Sequence, residues 1–166
     1  MTSIRSYEER DAEVVGRLIA DTYAEFNLAF VPTAELGLFL GPFRHARSAD
    51  AAHREAIVRV IRSAFVFVAE DDGEIVGVLR GRLDRLASLF VRGDHQRQGI
   101  GRRLVERFEA ECRQQEATVI RVAATLYGLP FYLALGYKRS TGLRTGWSFD
   151  GKGIPIQPMR KVLRHG

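Results

Sequence analysis

The run Val91-Arg92-Gly93-Asp94-His95-Gln96-Arg97-Gln98-Gly99-Ile100-Gly101-Arg102-Arg103-Leu104 holds the residue types that most clearly add up to chemistry. It follows the apolar stretch Leu86–Val91 and precedes an amphipathic pattern, so it joins a buried strand to a helix. The first N–H groups of a helix lack internal partners and lie at the positive end of its macrodipole. Gly99 and Gly101 carry no Cβ to hold a ligand away, so backbone amides can close around a phosphate. Arg97, Arg102 and Arg103 add charge beside them. The structural alternative is a tight turn and nothing more. Two common nucleotide signatures are absent: a third glycine where Leu104 stands, and Gly-Lys-Ser/Thr.

The elements that must position this loop read as follows. A helix over about 99–115 carries the apolar stripe Gly101, Leu104, Val105, Phe108 and Cys112, with Arg103, Glu106, Arg107, Glu109 and Arg113 facing out. Cys112 on that stripe reads as a buried structural thiol. Upstream, Ile4–Tyr7 alternates like an edge strand, and Asp11 is placed to cap a helix bearing Val14, Val15, Leu18, Ile19, Tyr23 and Phe26. Residues 28–47 are broken by Pro32, Gly37, Gly41 and Pro42, yet are apolar enough that they must cover something. A second helix starts near Ser48 or Asp50. Two β-rich runs flank Asp71-Asp72-Gly73, a strong hairpin signal. A strand at Thr118–Ala123, a short helix at about 128–135 and a final strand within 151–163 complete the order. A hairpin followed by strand–helix–strand predicts an α/β (α+β) fold with a mixed central sheet flanked by helices.

With 166 residues, 46% hydrophobic and 27% charged, the chain has the make-up of one globular domain over 1–166. One cysteine among 166 residues excludes an internal disulfide and fits a reducing cytoplasm. The start lacks an apolar targeting segment, and no apolar run nears the roughly 20 residues that span a bilayer. The formal charge of +5 points to an anionic partner. Nucleic acid fits poorly, because the helix arginines are interleaved with Glu106, Glu109 and Glu111. His45, His53, His95, His165 and Cys112 show no metal-ligand spacing, so no metal is expected.

Gln96-Arg97-Gln98-Gly99-Ile100-Gly101 resembles the Q/R-x-x-G-x-G/A signature of the GNAT superfamily of acetyl-CoA-dependent N-acetyltransferases. Phe131-Tyr132-Leu133-Ala134-Leu135-Gly136-Tyr137 is similar to that family's F-Y-x-x-L-G-F/Y segment. The order of elements also looks like the family's over nearly the whole chain. The resemblance implies a sheet whose central parallel strands splay, and acetyl-CoA as cosubstrate. It implies a pyrophosphate cradle within Gln96–Arg102, from the amides of Gln98, Gly99 and Gly101 and the region of Arg97 and Arg102, with Ile100 in the same segment. The strand edge at Leu89 and Val91 would hold the pantetheine arm, and the amide of Leu89 or Phe90 the thioester oxygen. Tyr132 would protonate the departing thiolate, a task suited to a phenol that is neutral at pH 7.

Two departures from the family pattern stand out. Its strand glutamate, the general base, is replaced by Arg85 beside Asp84, and an asparagine ahead of the catalytic tyrosine by Thr125. Glu70, Asp71 and His45 remain as candidate bases, each also readable as a solvated surface group. Transfer to a primary amine of a small molecule or peptide is the expected activity. An acyl-CoA-binding sensor is the alternative that the missing glutamate motivates. Residues 28–47 and 70–73 are expected to shape the acceptor pocket, with Phe30, Phe39, Phe43 and Trp147 as apolar lining and Glu70 and Asp71 suited to a cationic amine. Such folds commonly form a homodimer.

Overall fold

The computed structural model describes residues 1–146 and 149–164. Its elements run β1 (Thr2–Ser6), α1 (Ala12–Thr22), α2 (Leu36–Leu40), α3 (Ala51–Ile61), β2 (Phe65–Asp71), β3 (Glu74–Arg82), β4 (Arg85–Val91), α4 (Ile100–Gln114), β5 (Val119–Thr125), α5 (Leu129–Ala134), β6 (Lys138–Arg139), β7 (Arg144–Gly146) and β8 (Ile154–Val162). All strands join one mixed sheet in the order β1-β2-β3-β4-β5-β8-β6, with β7 also on β8. Among the described residues every pairing is antiparallel except β4 with β5. The expected α/β fold with a mixed sheet is what forms.

The sheet is covered on both faces. On one, Val15 and Ile19 of α1, Ile57 and Ile61 of α3, and Tyr23 and Phe43 of the turns that follow α1 and α2 pack with Val68, Val78 and Phe90. On the other, Leu104, Val105, Phe108 and Cys112 of α4 pack on Leu79, Leu86 and Ile120. Burying each large apolar side chain contributes roughly 1.5–3 kcal/mol, which is what holds α4 and its N-terminal loop in place. Segment 28–47 proves to be α2 and a 3₁₀ turn over Gly41–His45, and it sinks Leu28, Val31, Phe39 and Phe43 into the first core. Asp50 caps α3, accepting from the Ala52 N–H at 2.8 Å. The hairpin turns at Asp72 and Gly73, both with positive φ as a type I′ turn needs.

Two local expectations are corrected. Asp11 occupies the N-cap position of α1 without capping it through its side chain. Its carboxylate instead accepts from the Glu8 N–H at 2.8 Å and from the Arg5 guanidinium at 2.8 and 3.0 Å, because a charged donor outcompetes helix amides. Glu109, expected to face solvent, is 3% exposed. It accepts from the Tyr137 hydroxyl at 2.9 Å and from Lys161 Nζ at 3.0 and 3.2 Å, and Arg113 lies 3.8 Å away. Beside that carboxylate, burial pushes the Tyr137 phenol well above its ordinary range. Replacing Lys161 by Met removes the nearest cation from a buried carboxylate. Thermal unfolding should report a loss of roughly 1–3 kcal/mol, and an unchanged midpoint would show the pair to be idle.

Candidate active site

Parallel pairing between β4 and β5 is limited to Arg85 with Arg121 and Leu86 with Val122. Beyond those rows the strands diverge, and a cavity of about 690 Å³ fills the gap. Its walls are Ala87–Val91 of β4, Val122–Thr125 of β5, Tyr132 of α5, and the loop that enters α4. A β-bulge shapes the β4 wall: Arg80 pairs with Ser88 and Gly81 with Leu86, which leaves Ala87 as the extra residue. The bulge moves Leu86, Leu89 and Val91 onto the α4 face, while Phe90, and by alternation Ser88, face α1.

Backbone direction along β4 follows from one hydrogen bond. Arg92 N–H donates to Val76 O at 2.8 Å, so Phe90, two residues back, also turns its N–H toward β3. Leu89 and Val91 therefore turn theirs into the gap. The Val91 carbonyl on that side already accepts from the Gln96 side-chain amide at 2.9 Å, and Gln96 Oε1 accepts from the Tyr127 hydroxyl at 2.7 Å. Tyr127 in turn stacks on Phe26, with ring centroids 5.3 Å apart. Gln96 thus ties the end of β4 to the segment following β5.

At the head of α4, Gly99 is the N-cap residue, with φ +83° and no side-chain cap on the first amides. A Cβ at Gly99 would meet nothing within 4 Å, whereas one at Gly101 would lie 3.1 Å from the Phe131 ring. The amides are open to an anion, and Gly101 is small because α5 packs against it. Arg97 and Arg102 line the cavity. Arg103 does not belong with them: it donates to the Thr2 carbonyl at 2.8 Å, drawn to the uncovered edge of β1.

Tyr132 is 6% exposed and lines the cavity, its ring T-shaped against Phe131 and Tyr137. Burial pushes its phenol well above the ordinary range, so it keeps its proton at neutral pH. The other wall is built by a π-helical turn at Tyr23–Asn27, which continues α1 and aims Tyr23 and Asn27 at the gap. Asn27 Nδ2 donates to Thr125 Oγ1 at 2.7 Å, so an amide from that turn reaches the position where β5 has no asparagine.

A family model described as an acetyltransferase (GNAT) domain matches residues 39–163. The chain belongs to the GNAT acetyltransferase family. Among solved structures, a GCN5-related N-acetyltransferase from Rhodopseudomonas palustris is 19% identical with a TM-score of 0.78, the match covering 98% of this chain and 96% of that one. The PaiA N-acetyltransferase of Thermoplasma acidophilum, solved with coenzyme A, is 16% identical with a TM-score of 0.73 over 98% and 99% of the two chains. The ribosomal-protein-S18-alanine N-acetyltransferase of Escherichia coli is 19% identical with a TM-score of 0.59 over 100% and 96%. At these identities the likeness is one of fold.

Within this GNAT fold, several side chains expected at the acceptor pocket stand elsewhere. Glu70 is ion-paired with Arg5 at 2.7 Å. Asp71 is held by His95 at 2.9 Å and the N-terminal amine at 3.3 Å. His45 stacks on His53, centroids 3.8 Å apart. Arg85 sits on the row where β4 and β5 still pair, below the opening. Phe39 and Phe43 are core residues and Phe30 is exposed. Trp147 lies outside the described residues, as does His165. Tyr23, Phe90 and Phe149 supply the aromatic lining instead. Phe149 is carried there because Lys152 N–H donates to the Leu38 carbonyl at 2.7 Å and pins the β7–β8 connection to α2. Among the described residues no cluster of three His, Cys, Asp or Glu side chains could hold a metal ion, and no helix is long and apolar enough to cross a membrane.

His95 clasps the glycine loop to the hairpin through Asp94 at 2.8 Å and Asp71 at 2.9 Å. Those carboxylates, Asp94 foremost, raise its pKa above the ordinary value. A raised folded pKa stabilises the fold fully below the unfolded pKa of about 6.5, and the contribution is lost as pH climbs through the folded value. The melting-temperature difference between wild type and His95→Gln should therefore be widest at and below about pH 6 and narrow as the pH climbs through the raised folded value. A pH-independent difference would assign His95 a packing role alone.

Proposed function

We propose that residues 1–166 act as one N-acetyltransferase unit that moves acetyl from acetyl-CoA to a primary amine by direct attack in a ternary complex. The opening of β4 from β5, ending at an uncapped helix N-terminus with Tyr132 in its wall, is the observation that carries this reading. Residues 1–38, outside the matched span, contribute β1 and the α1 wall of the same cavity. Coenzyme A fits what the chain offers: open amides and Arg97 and Arg102 for a pyrophosphate, and the Leu89 and Val91 N–H groups, turned into the gap without a β5 partner, for a pantetheine arm.

When bound, acetyl-CoA supplies a thioester with an electrophilic acetyl carbon. The Leu89 N–H, turned into the gap, donates to the carbonyl oxygen on which charge builds, a contribution worth roughly 2.7–4 kcal/mol per donor elsewhere. Phe90, the other candidate donor, offers its side chain to the wall and its amide to β3. Tyr132 hands its phenolic proton to sulfur as the carbon–sulfur bond breaks, and the proton shed by the amine, passed through water, restores it. Among the described residues no carboxylate lines the cavity, so water rather than a fixed carboxylate takes that amine proton. Cys112, the lone thiol, is buried under α4 and pushed up in pKa by burial, so it is no acetyl carrier. That buried, unpaired thiol also suits a reducing cytoplasm.

Calorimetry with coenzyme A, followed by thiol release from acetyl-CoA across a panel of amines, tests the proposal. Binding with amine-dependent release supports it; binding with no release on any amine supports the acyl-CoA sensor.

A further inference from the structure

We infer that the acceptor is an amine that also carries a carboxylate, and that Ser88, with Arg80 behind it, is the residue that selects it. The inference rests on the transferase reading above and names the substrate class of the same site.

The acceptor side of the cavity is formed by Thr22, Tyr23, Asn27, Ser88, Phe90 and Phe149, none of which is charged. The ionisable groups on the remaining walls are His95, Arg97, Arg102, Tyr127 and Tyr132; no carboxylate lines any wall among the described residues. A polycationic amine would find nothing to pair with there. Behind the neutral wall lies Arg80. Its Nε donates to Ile61 O at 3.0 Å and its Nη2 to Val60 O at 2.7 Å, where α3 ends. Its guanidinium lies over the Phe149 ring, 5.5 Å from the centroid. No carboxylate stands within ion-pair distance of it among the described residues, so its charge is offset only by carbonyl dipoles and a ring face. Burial accordingly lowers its pKa, though a guanidinium remains charged.

The third bond from Arg80 carries the specificity. Nη1 donates to Ser88 Oγ at 3.2 Å. A guanidinium has no acceptor to offer in return, so Ser88 must accept from it and direct its own O–H elsewhere. No protein acceptor among the described residues takes that proton, and Ser88 faces the cavity. Ser88 is thus a donor whose oxygen is already engaged, polarised by a part-buried positive charge and placed one residue before Leu89. An oxygen of the acceptor is what such a group recognises, and the uncompensated charge behind it favours a carboxylate over a neutral carbonyl. The aromatic wall of Tyr23, Phe90 and Phe149 takes the apolar body of the same molecule.

The test uses unreactive probes, so that it reads binding without turnover. Calorimetry in the presence of coenzyme A compares N-acetyl-L-phenylalanine with its decarboxylated twin N-acetylphenethylamine and with N-acetyl-L-phenylalaninamide. The carboxylate probe should bind about tenfold or more tightly than either, as a hydrogen bond to a charged group warrants. Ser88→Ala should erase that preference without changing coenzyme A affinity, and Ser88→Thr, which keeps the hydroxyl, should retain it. Equal binding of the carboxylate and amide probes would mean that a neutral carbonyl is read, as in a peptide N-terminus, and would overturn the inference. So would equal binding of all three, no binding of any, or a Ser88→Ala loss shared by every probe. In turnover assays, phenylalanine should outpace phenethylamine through KM, and Ser88→Ala should remove the difference. A Ser88→Ala loss confined to kcat and common to both amines would instead make Ser88 a donor to the thioester oxygen. Carboxylate-dependent binding without thiol release on any amine would leave this inference standing and overturn the transferase reading.

Discussion

Tyr132→Phe is expected to lower kcat by roughly 10²–10⁴-fold, the usual worth of a positioned proton donor, while coenzyme A binds almost as before. The substitution removes one oxygen and keeps the ring that packs on Phe131 and Tyr137, so the fold has no reason to change. Its effect should fall on the chemical step, because the phenol holds its proton in the resting site and gives it up only to a developing thiolate. A second signature follows from that burial. The limb of the pH–kcat profile that reports loss of the phenolic proton should lie well above the ordinary tyrosine range, beyond where an exposed tyrosine would cut the rate. Steady-state kinetics with any amine that serves as acceptor measure both. Equal turnover by the Phe variant would remove Tyr132 from the chemistry.

Gly99→Val should weaken coenzyme A by about ten- to hundredfold. The open space around Gly99 means that no steric clash within the protein causes this. The cause is the backbone: at φ +83° a β-branched residue is strained by roughly 1–3 kcal/mol, and relief of the strain rotates the amides that open α4. Gly101→Val acts by another route. Its Cβ would press on the Phe131 ring at 3.1 Å, and that ring packs against Tyr132, so turnover should fall along with affinity. Calorimetry on both variants beside kcat separates the two causes. Unaltered coenzyme A affinity in Gly99→Val would disconnect the glycine loop from the phosphate.

How much of this was legible beforehand depends on how local the cause is. Helix α4, the Asp72-Gly73 turn and the Asp50 cap are set by neighbours within a few residues, and their residue types announce them. Glu109 misled because its partners Tyr137 and Lys161 lie 28 and 52 positions away, where helical periodicity carries no information. Gly99 is legible from its place at a helix N-terminus, whereas Leu89, Val91 and Tyr132 are marked by the family resemblance, and their surroundings in the fold supply physical reasons for the roles proposed. Ser88, Arg80, Asn27 and Phe149 carry no signal in the sequence that assigns them to the site. A serine in an apolar strand reads as a neutral filler until the Ala87 bulge turns it toward α1 and Arg80 fills its acceptor site. The placement of Phe149 depends on a backbone bond between Lys152 and Leu38, more than a hundred residues apart, which no side-chain type encodes. Expectations for Glu70 and Asp71 fail for the converse reason: an edge carboxylate goes to the nearest cation, and Arg5, His95 and the N-terminal amine engage them instead of an acceptor.

Acetyl-labelled acetyl-CoA, incubated with the purified protein with and without an aromatic amino acid and then separated by chromatography, tests the transferase reading most directly. The expected result is label on the amino acid's nitrogen, none on the protein when the amine is left out, and a slowed yield with Tyr132→Phe. Label that stays on coenzyme A with every amine supplied, although the protein binds coenzyme A, would contradict it.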